Sequence, residues 1–341
     1  MIDLLVAGGG PDGLAVAIRG RLAGLDGTVV EPRSTPVDKA CGEGLMPSAV
    51  RGLRDLGVEV DGHPFAGIGY VSGRRRVEAR FADGPGLGVR RTALHAALAA
   101  RADDVGVGRM PGRVEQVSQR TDHIEAAGTS ARWLVAADGL HSSVRRAIGL
   151  DRPSRGPARY GLRRHFQIAP WTDVVEVHWS EQAEAYVTPV GADLVGVVLL
   201  CSTEAHRRGY AETLADFPDL CERLRGAEPV TPVRGAGPLR QVAGSLSQGR
   251  VLLVGDAAGY VDALTGEGLA TGLATAAAAV GAVLEGRPEA YDARWRAATR
   301  RYRWITLSLV AAANQPTVRR AIVPAAVRLP WVFSRLVNAL G

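Results

Sequence analysis

Three glycine-rich segments hold the residues best suited to chemistry. The first is Gly8-x-Gly10-x-x-Gly13, with Glu31 following 18 residues later. Gly8 permits a tight turn, Gly10 lets a diphosphate approach the backbone at a helix N-terminus, and Gly13 lets helix and strand pack closely. Glu31 is placed to accept hydrogen bonds from ribose hydroxyls. A carboxylate there repels a 2′-phosphate, so FAD or NAD suits this turn better than NADP. The second segment runs from Ala137 to Arg145 (ADGLHSSVR). The third is Val254 to Gly259 (VGDAAG), continued by Thr265-Gly266-Glu267-Gly268. Each of these two, taken alone, reads equally well as a turn leading into a capped helix. Five further side chains have reactive types. Cys41 is either a redox thiol or a small packed residue, and Glu43 either a general acid or base or a structural carboxylate. His165, His178 and Tyr186 are either structural polar residues or bases able to activate a phenol.

The elements that must position these groups follow from patterning. Ile2–Ala7 is a short apolar run, read as a buried strand. Leu14–Leu22 reads as a helix, Asp26-Gly27 as a turn and Thr28–Val30 as a second strand, a βαβ opening that predicts a parallel sheet. Pro47–Leu56 and Arg91–Arg101 read as helices, Ile68–Phe81 as a pair of strands. Val114–Val135 reads as strands with turns at Thr121-Asp122 and Ala127-Gly128. Val174–Val177, Ala185–Val190 and Leu194–Leu200 are valine-rich and strand-like, which predicts a second, antiparallel sheet. Arg250–Val254 returns to a buried strand, and Gly268–Leu284 to a long buried helix too Ala-rich for a membrane span. Tyr302–Ala313 is a further helix. In Pro330–Leu340, Leu329, Val332, Phe333, Leu336, Val337 and Leu340 share one face.

The three glycine-rich segments, in this order, resemble the p-hydroxybenzoate-hydroxylase-like FAD-dependent monooxygenase superfamily. The resemblance runs from Ile2 to about Leu284 and includes Arg91-x-x-Leu94-x-x-x-Leu98. It implies an α/β fold: a Rossmann-like FAD-binding domain with a parallel sheet, an inserted antiparallel-sheet substrate domain, and C-terminal helices. The expected division is residues 1–62, 85–154 and 240–290 for FAD binding, 63–84 and 155–239 for substrate, and 291–341 for basic C-terminal helices. By the same resemblance Asp256 contacts the ribityl chain, and Asp138 and Gly139 lie where FAD and nicotinamide both approach. Gly266 and Gly268 bring backbone N–H groups to the flavin N1/C2=O edge, where a helix N-terminus stabilises the negative charge of reduced flavin. Arg33 and Arg91 are further FAD contacts. Lys39-Ala40-Cys41-Gly42-Glu43-Gly44-Leu45-Met46-Pro47 and Gly255–Leu269 look like the geranylgeranyl-reductase-like branch. The nearest pattern is that of hydroxylases of long-chain alkylresorcinols found beside type III polyketide synthases. The expected chemistry is NAD(P)H-dependent hydroxylation, with O2, of a lipophilic phenolic substrate. The alternatives are reduction of isoprenoid double bonds and a flavin-binding redox protein without turnover. The halogenase signature Trp-x-Trp-x-Ile-Pro is missing from the sequence.

Composition narrows the remaining classes. The 341 residues are 46% hydrophobic and 22% charged, which sets disorder aside. Cys41, Cys201 and Cys221 are too few and scattered for a disulfide framework or a zinc site. The net charge is +6, yet Arg287 to Gly341 alone carries ten arginines against Glu289 and Asp292. The rest of the chain is slightly acidic, so the charge does not point to nucleic acid. It points to a basic tail bearing Trp295, Trp304 and Trp331, read as a packed C-terminal helix or as an interfacial helix on anionic lipid. No basic leader precedes Ile2, so the expectation is a cytoplasmic location with peripheral membrane contact through that tail.

Overall fold

The computed structural model describes residues 1–340. The strands used below are, in chain order, β1 (Ile2–Ala7), β2 (Gly27–Glu31), β3 (Gly67–Ser72), β4 (Arg75–Arg80), β5 (Gly108–Pro111) and β6 (Thr129–Ala136). They continue with β7 (Arg159–Gln167), β8 (Val175–Trp179), β9 (Ala183–Gly191), β10 (Leu194–Ser202) and β11 (Val251–Leu253). The helices are α1 (Pro11–Leu22), α2 (Arg91–Asp104), α3 (Gly268–Leu284), α4 (Tyr291–Ala313), α5 (Pro316–Arg328) and α6 (Pro330–Leu340).

The first sheet has a parallel core in the order β11-β6-β1-β2-β5. Leu4, Leu5 and Val6 of β1 and Leu134 and Val135 of β6 are fully buried, as expected of strands covered on both faces. Helix α1 packs along α3, and both belong to the core that holds these strands. The expected span of the Gly268 helix is matched end to end.

The second sheet has the order β7-β10-β9-β8-β3-β4, with a short strand at Glu228–Pro229 beyond β7. It is antiparallel except at one place, where β8 runs parallel to β3. That pairing inserts the β3–β4 hairpin from early in the chain beside strands that come 100 residues later. Gly44–Leu45, His63–Phe65 and Gly86–Gly88 form a small three-stranded sheet.

Strand β7, with Arg159, Arg163, Arg164 and His165, was not among the strands expected from patterning. Arg159, Arg163 and His165 are in fact buried. Their charges are met by carboxylates from other elements: Glu184 and Asp262 for Arg159, Asp38 and Glu43 for Arg163, Glu43 for His165. Helix α4 begins at Tyr291, well before the expected start at Tyr302. Helix α5 was also missed; it carries Pro324 in its interior.

The C-terminal helices fold back over the second sheet. Helix α6 packs on β4, and Phe333 and Val337 are buried with Val77 and Ala79. Arg319 of α5 fixes this arrangement. It donates to Ser180 O at 2.6 Å and Ala183 O at 2.8 Å, pairs with Glu184 at 2.6 Å and lies over Trp179. Arg319 is thus engaged by the second sheet, whereas Arg328 and Arg335 are exposed. Trp331, off the apolar face of α6, is 61% exposed, and Leu329, at its edge, is 47% exposed. Among the described residues no helix is long and apolar enough to cross a membrane.

Candidate functional site

The turn from β1 into α1 explains its own glycines. Gly8 has φ +99°, and a Cβ there would lie 2.6 Å from Ala137 O. A Cβ on Gly13 would lie 1.9 Å from Gly8 O, so only glycine lets α1 start this close to the strand. Pro11 opens the helix, where its missing N–H costs nothing. Space is open beside Gly10, and the first-turn N–H groups give a ready site for a diphosphate.

Glu31 is tied to this turn. Its carboxylate accepts from the Gly9 N–H at 2.8 Å and from Arg33 Nε at 2.7 Å. Burial alone would raise its pKa, but the hydrogen bonds from Arg33 and Gly9 outweigh burial and hold it below the usual range. Asp138, just past β6, accepts from Ser143 Oγ at 3.1 Å and from the Val144 N–H at 3.1 Å, at the start of the short helix Ser143–Ala147 that Ser142 caps. Asp256 follows β11 in a single 3₁₀ turn, with Lys39 Nζ 3.4 Å from its carboxylate. Gly266 and Gly268 bracket the start of α3, with Tyr260 against Gly268.

These segments converge on one cavity of about 770 Å³. Gly8, Gly10, Glu31, Arg33, Arg91, Asp138, Gly139, Asp256, Gly266 and Gly268 all line it. Gly13 lies behind the wall, against Gly8. Cys41, Glu43 and Tyr186 line it too, whereas His165 and His178 do not. Glu43 is heavily engaged: it accepts from Arg163 Nη1 at 2.8 Å and the Arg91 N–H at 2.8 Å, and meets His165 Nε2 at 2.5 Å. The Tyr186 hydroxyl donates to Leu264 O at 2.8 Å, and burial, then the charge of Glu184, pushes its pKa well up. His178 sits 3.0 Å from Glu176.

Beyond Gly268 the cavity turns apolar. Tyr70, Val177 and Leu200 of the second sheet form one wall, and Ile322, Phe333 and Leu340 of the C-terminal helices form the other. All six residues of the apolar face read on α6 line this chamber. Patterning found that face and left open whether it packs on protein or meets lipid; in the structure it lines the cavity. Sequence reasoning also missed Asp12, Lys39, Tyr70 and Tyr260 as cavity residues. The signal available for Lys39 was that it is the sole lysine among 41 basic residues.

The cleft also has the open valences a bound group would use. Arg91 Nε and Asp138 Oδ1 are buried without a hydrogen-bond partner, one a donor and one an acceptor. A family model described as an FAD binding domain matches residues 110–294, more than half the chain. The chain belongs to this FAD-binding family. FAD is its cofactor, and it is an FAD-dependent enzyme with relatives named as reductases and as monooxygenases. It is 29% identical over 301 residues to digeranylgeranylglycerophospholipid reductase 1 of Methanothermobacter thermautotrophicus, covering 80% of this chain and 74% of that protein. It is 28% identical over 297 residues to rifampicin monooxygenase of Rhodococcus hoagii, covering 80% of this chain and 62% of that protein. The solved myxobacterial chondrochloren halogenase overlays with a TM-score of 0.81 at 22% identity, over 99% of this chain and 90% of that one. At that identity the likeness speaks for the fold alone.

Proposed function

We propose that this enzyme takes electrons from NAD(P)H and uses O2 to hydroxylate a lipophilic phenolic ring of the alkylresorcinol type. The observation that carries the reading is the apolar part of the cavity lining, formed by Tyr70, Val177 and Leu200 of the second sheet and by residues of α5 and α6. A ring on a long alkyl chain fits it: the ring beside Gly268, the chain between Tyr70, Phe333 and Leu340. Bound FAD supplies electron transfer from the nicotinamide and the activation of oxygen. The chain's own residues bind and orient. The N-terminus of α1 holds the diphosphate, Glu31 the ribose and Asp256 the ribityl hydroxyls. The Gly266–Gly268 backbone at the start of α3 stabilises negative charge on the reduced ring. Arg33, Arg91, Asp138 and Gly139 complete the cofactor contacts. The C-terminal helices exclude water from the chamber. Trp331 and Leu329, exposed beside Arg328 and Arg335, make α6 the side from which a lipid-dissolved substrate enters.

A second reading is favoured by one feature of the chamber. Its carboxylates lie at the dinucleotide end or, like Glu43, are already engaged, and Tyr186 donates to a backbone carbonyl. Reduction of an isoprenoid double bond needs no base to ionise a phenol, and it is in keeping with the reductase of Methanothermobacter thermautotrophicus to which the chain is similar. The purified protein with FAD should oxidise NAD(P)H and consume oxygen faster with long-chain phenols than without them. Substrate-dependent flavin reoxidation by prenyl lipids under anaerobic conditions, with no response to phenols, would overturn the hydroxylase in favour of the reductase. Flavin that no nicotinamide reduces would overturn both.

A further inference from the structure

Asp12 is the second residue of α1, in the turn that must receive a dianion. Its carboxylate fills the gap between two other segments. A Cβ on Gly255 would lie 1.9 Å from Oδ2, and a Cβ on Gly272 would lie 2.0 Å from Oδ1. The turn after β11 and the second turn of α3 are therefore both shaped around this side chain. It also reaches the cavity wall.

We propose that Asp12 is a proton-binding residue of the cofactor cleft, taking up one proton as the dinucleotide enters. The inference rests on FAD occupying this cleft.

The surroundings of the carboxylate carry the argument. Asp256, on the turn after β11, repels it; Lys39 on the 38–43 loop and Arg91 on α2 attract it. Helix α3 presents Gly272 and Thr275, which bear no charge. Helix α4 presents Tyr291, whose hydroxyl is committed to Leu253 O. Burial, then Asp256, pushes Asp12 up to about 7, with Arg91 and Lys39 opposing. A diphosphate drawn to the N-terminus of α1 adds negative charge beside Asp12. It also competes for the same two cations. Both effects favour the protonated carboxyl. Above neutral pH, binding must then bring a proton with it, and affinity falls as pH rises.

Calorimetric titration of the apoprotein with FAD, in buffers of different ionisation heat, reads that proton directly. Uptake should grow from pH 6.5 to 8.5, approaching one proton per FAD. The Kd should weaken by up to about tenfold per pH unit at the alkaline end. Asp12→Asn should bind FAD with a nearly pH-independent Kd and no uptake. If Asp12→Asn does not fold, an infrared difference spectrum of the native protein should gain a protonated-carboxyl band on FAD addition. Buffer-independent heat in the native protein overturns the proposal, as does unchanged uptake in Asp12→Asn. No heat at any pH would overturn FAD occupancy itself, a distinct failure.

Discussion

Replacing Glu43 by alanine tests whether the 38–43 loop is held by a buried ion cluster. Glu43 is 2% exposed and sits at φ +59°, so its position is imposed by its contacts. The substitution removes the acceptor of Arg163 Nη1, of the Arg91 N–H and of His165 Nε2. Arg163 is fully buried and keeps Asp38, which accepts from Nη2 at 3.0 Å. Breaking a buried pair from one side costs about 3–5 kcal/mol. An unsatisfied buried N–H adds about 1–3 kcal/mol. These do not add fully, because the loop borders a cavity from which water can reach the site. We expect a net loss of about 4 kcal/mol. Glu43→Gln keeps an acceptor for the Arg91 N–H and should lose about half as much.

The assay is guanidinium unfolding of both variants, with and without FAD. Lys39, Cys41 and Glu43 all line the cofactor cavity, so FAD affinity of the alanine variant should also fall, by about tenfold or about 1.4 kcal/mol. The reasoning fails if alanine costs under about 1 kcal/mol, or if glutamine costs as much as alanine. The first result would mean that solvent replaces the cluster, the second that the charge of Glu43 carries the whole effect and the retained acceptor none.

Asp256→Ala should weaken FAD binding by about 10- to 100-fold, the loss of a charged hydrogen-bonding group; flavin fluorescence titration checks it, and an unchanged Kd excludes Asp256 as a contact. Glu176 governs acid stability: burial alone would raise its pKa, but hydrogen bonds from His178, Trp171 and Arg76 outweigh burial and hold the carboxyl at about 2 against 4.5. A carboxyl lowered by folding stabilises above its unfolded pKa, and that stability is lost as pH falls from about 4.5 to about 2. The native protein should therefore lose about 3 kcal/mol more than Glu176→Gln over that window, read from unfolding curves at several pH values. Arg319→Met removes the contacts to Ser180 O, Ala183 O and Glu184 and should make residues after Ala313 markedly more sensitive to protease; unchanged cleavage would show that α6 packing alone holds the C-terminal helices.

What could be read in the sequence was what is local. The turn at Gly8–Gly13, the strand before Gly255 and the whole of α3 each follow from contiguous residues, and the cofactor end of the cavity is built from them. What escaped were features whose reasons lie far along the chain. Grouping residues 63–84 with 155–239 came from the family resemblance, but not the parallel pairing of β3 on β8 about 100 positions along, and β7 is tolerable as a strand only because four distant carboxylates receive its charges. The apolar face of α6 was plain, but periodicity cannot say whether such a face meets lipid or the protein's own cavity.

The arginine bias changes meaning for the same reason. As composition, 40 arginines and one lysine read as a trait of the surface or the genome. Inside the fold, Arg145, Arg159, Arg163 and Arg319 each bridge separate segments through several acceptors. Arg145 alone reaches Asp151, Leu140 O, Gln241 and Ala257 O. A planar guanidinium can serve three or four acceptors in fixed directions while staying charged; a lysine, as a compact point charge, cannot. These arginines act as bolts between the parallel sheet, the antiparallel sheet and the C-terminal helices. The lone lysine stands in a different role, part-exposed at the cofactor cleft beside Asp256, where a mobile charge can exchange one anionic partner for another.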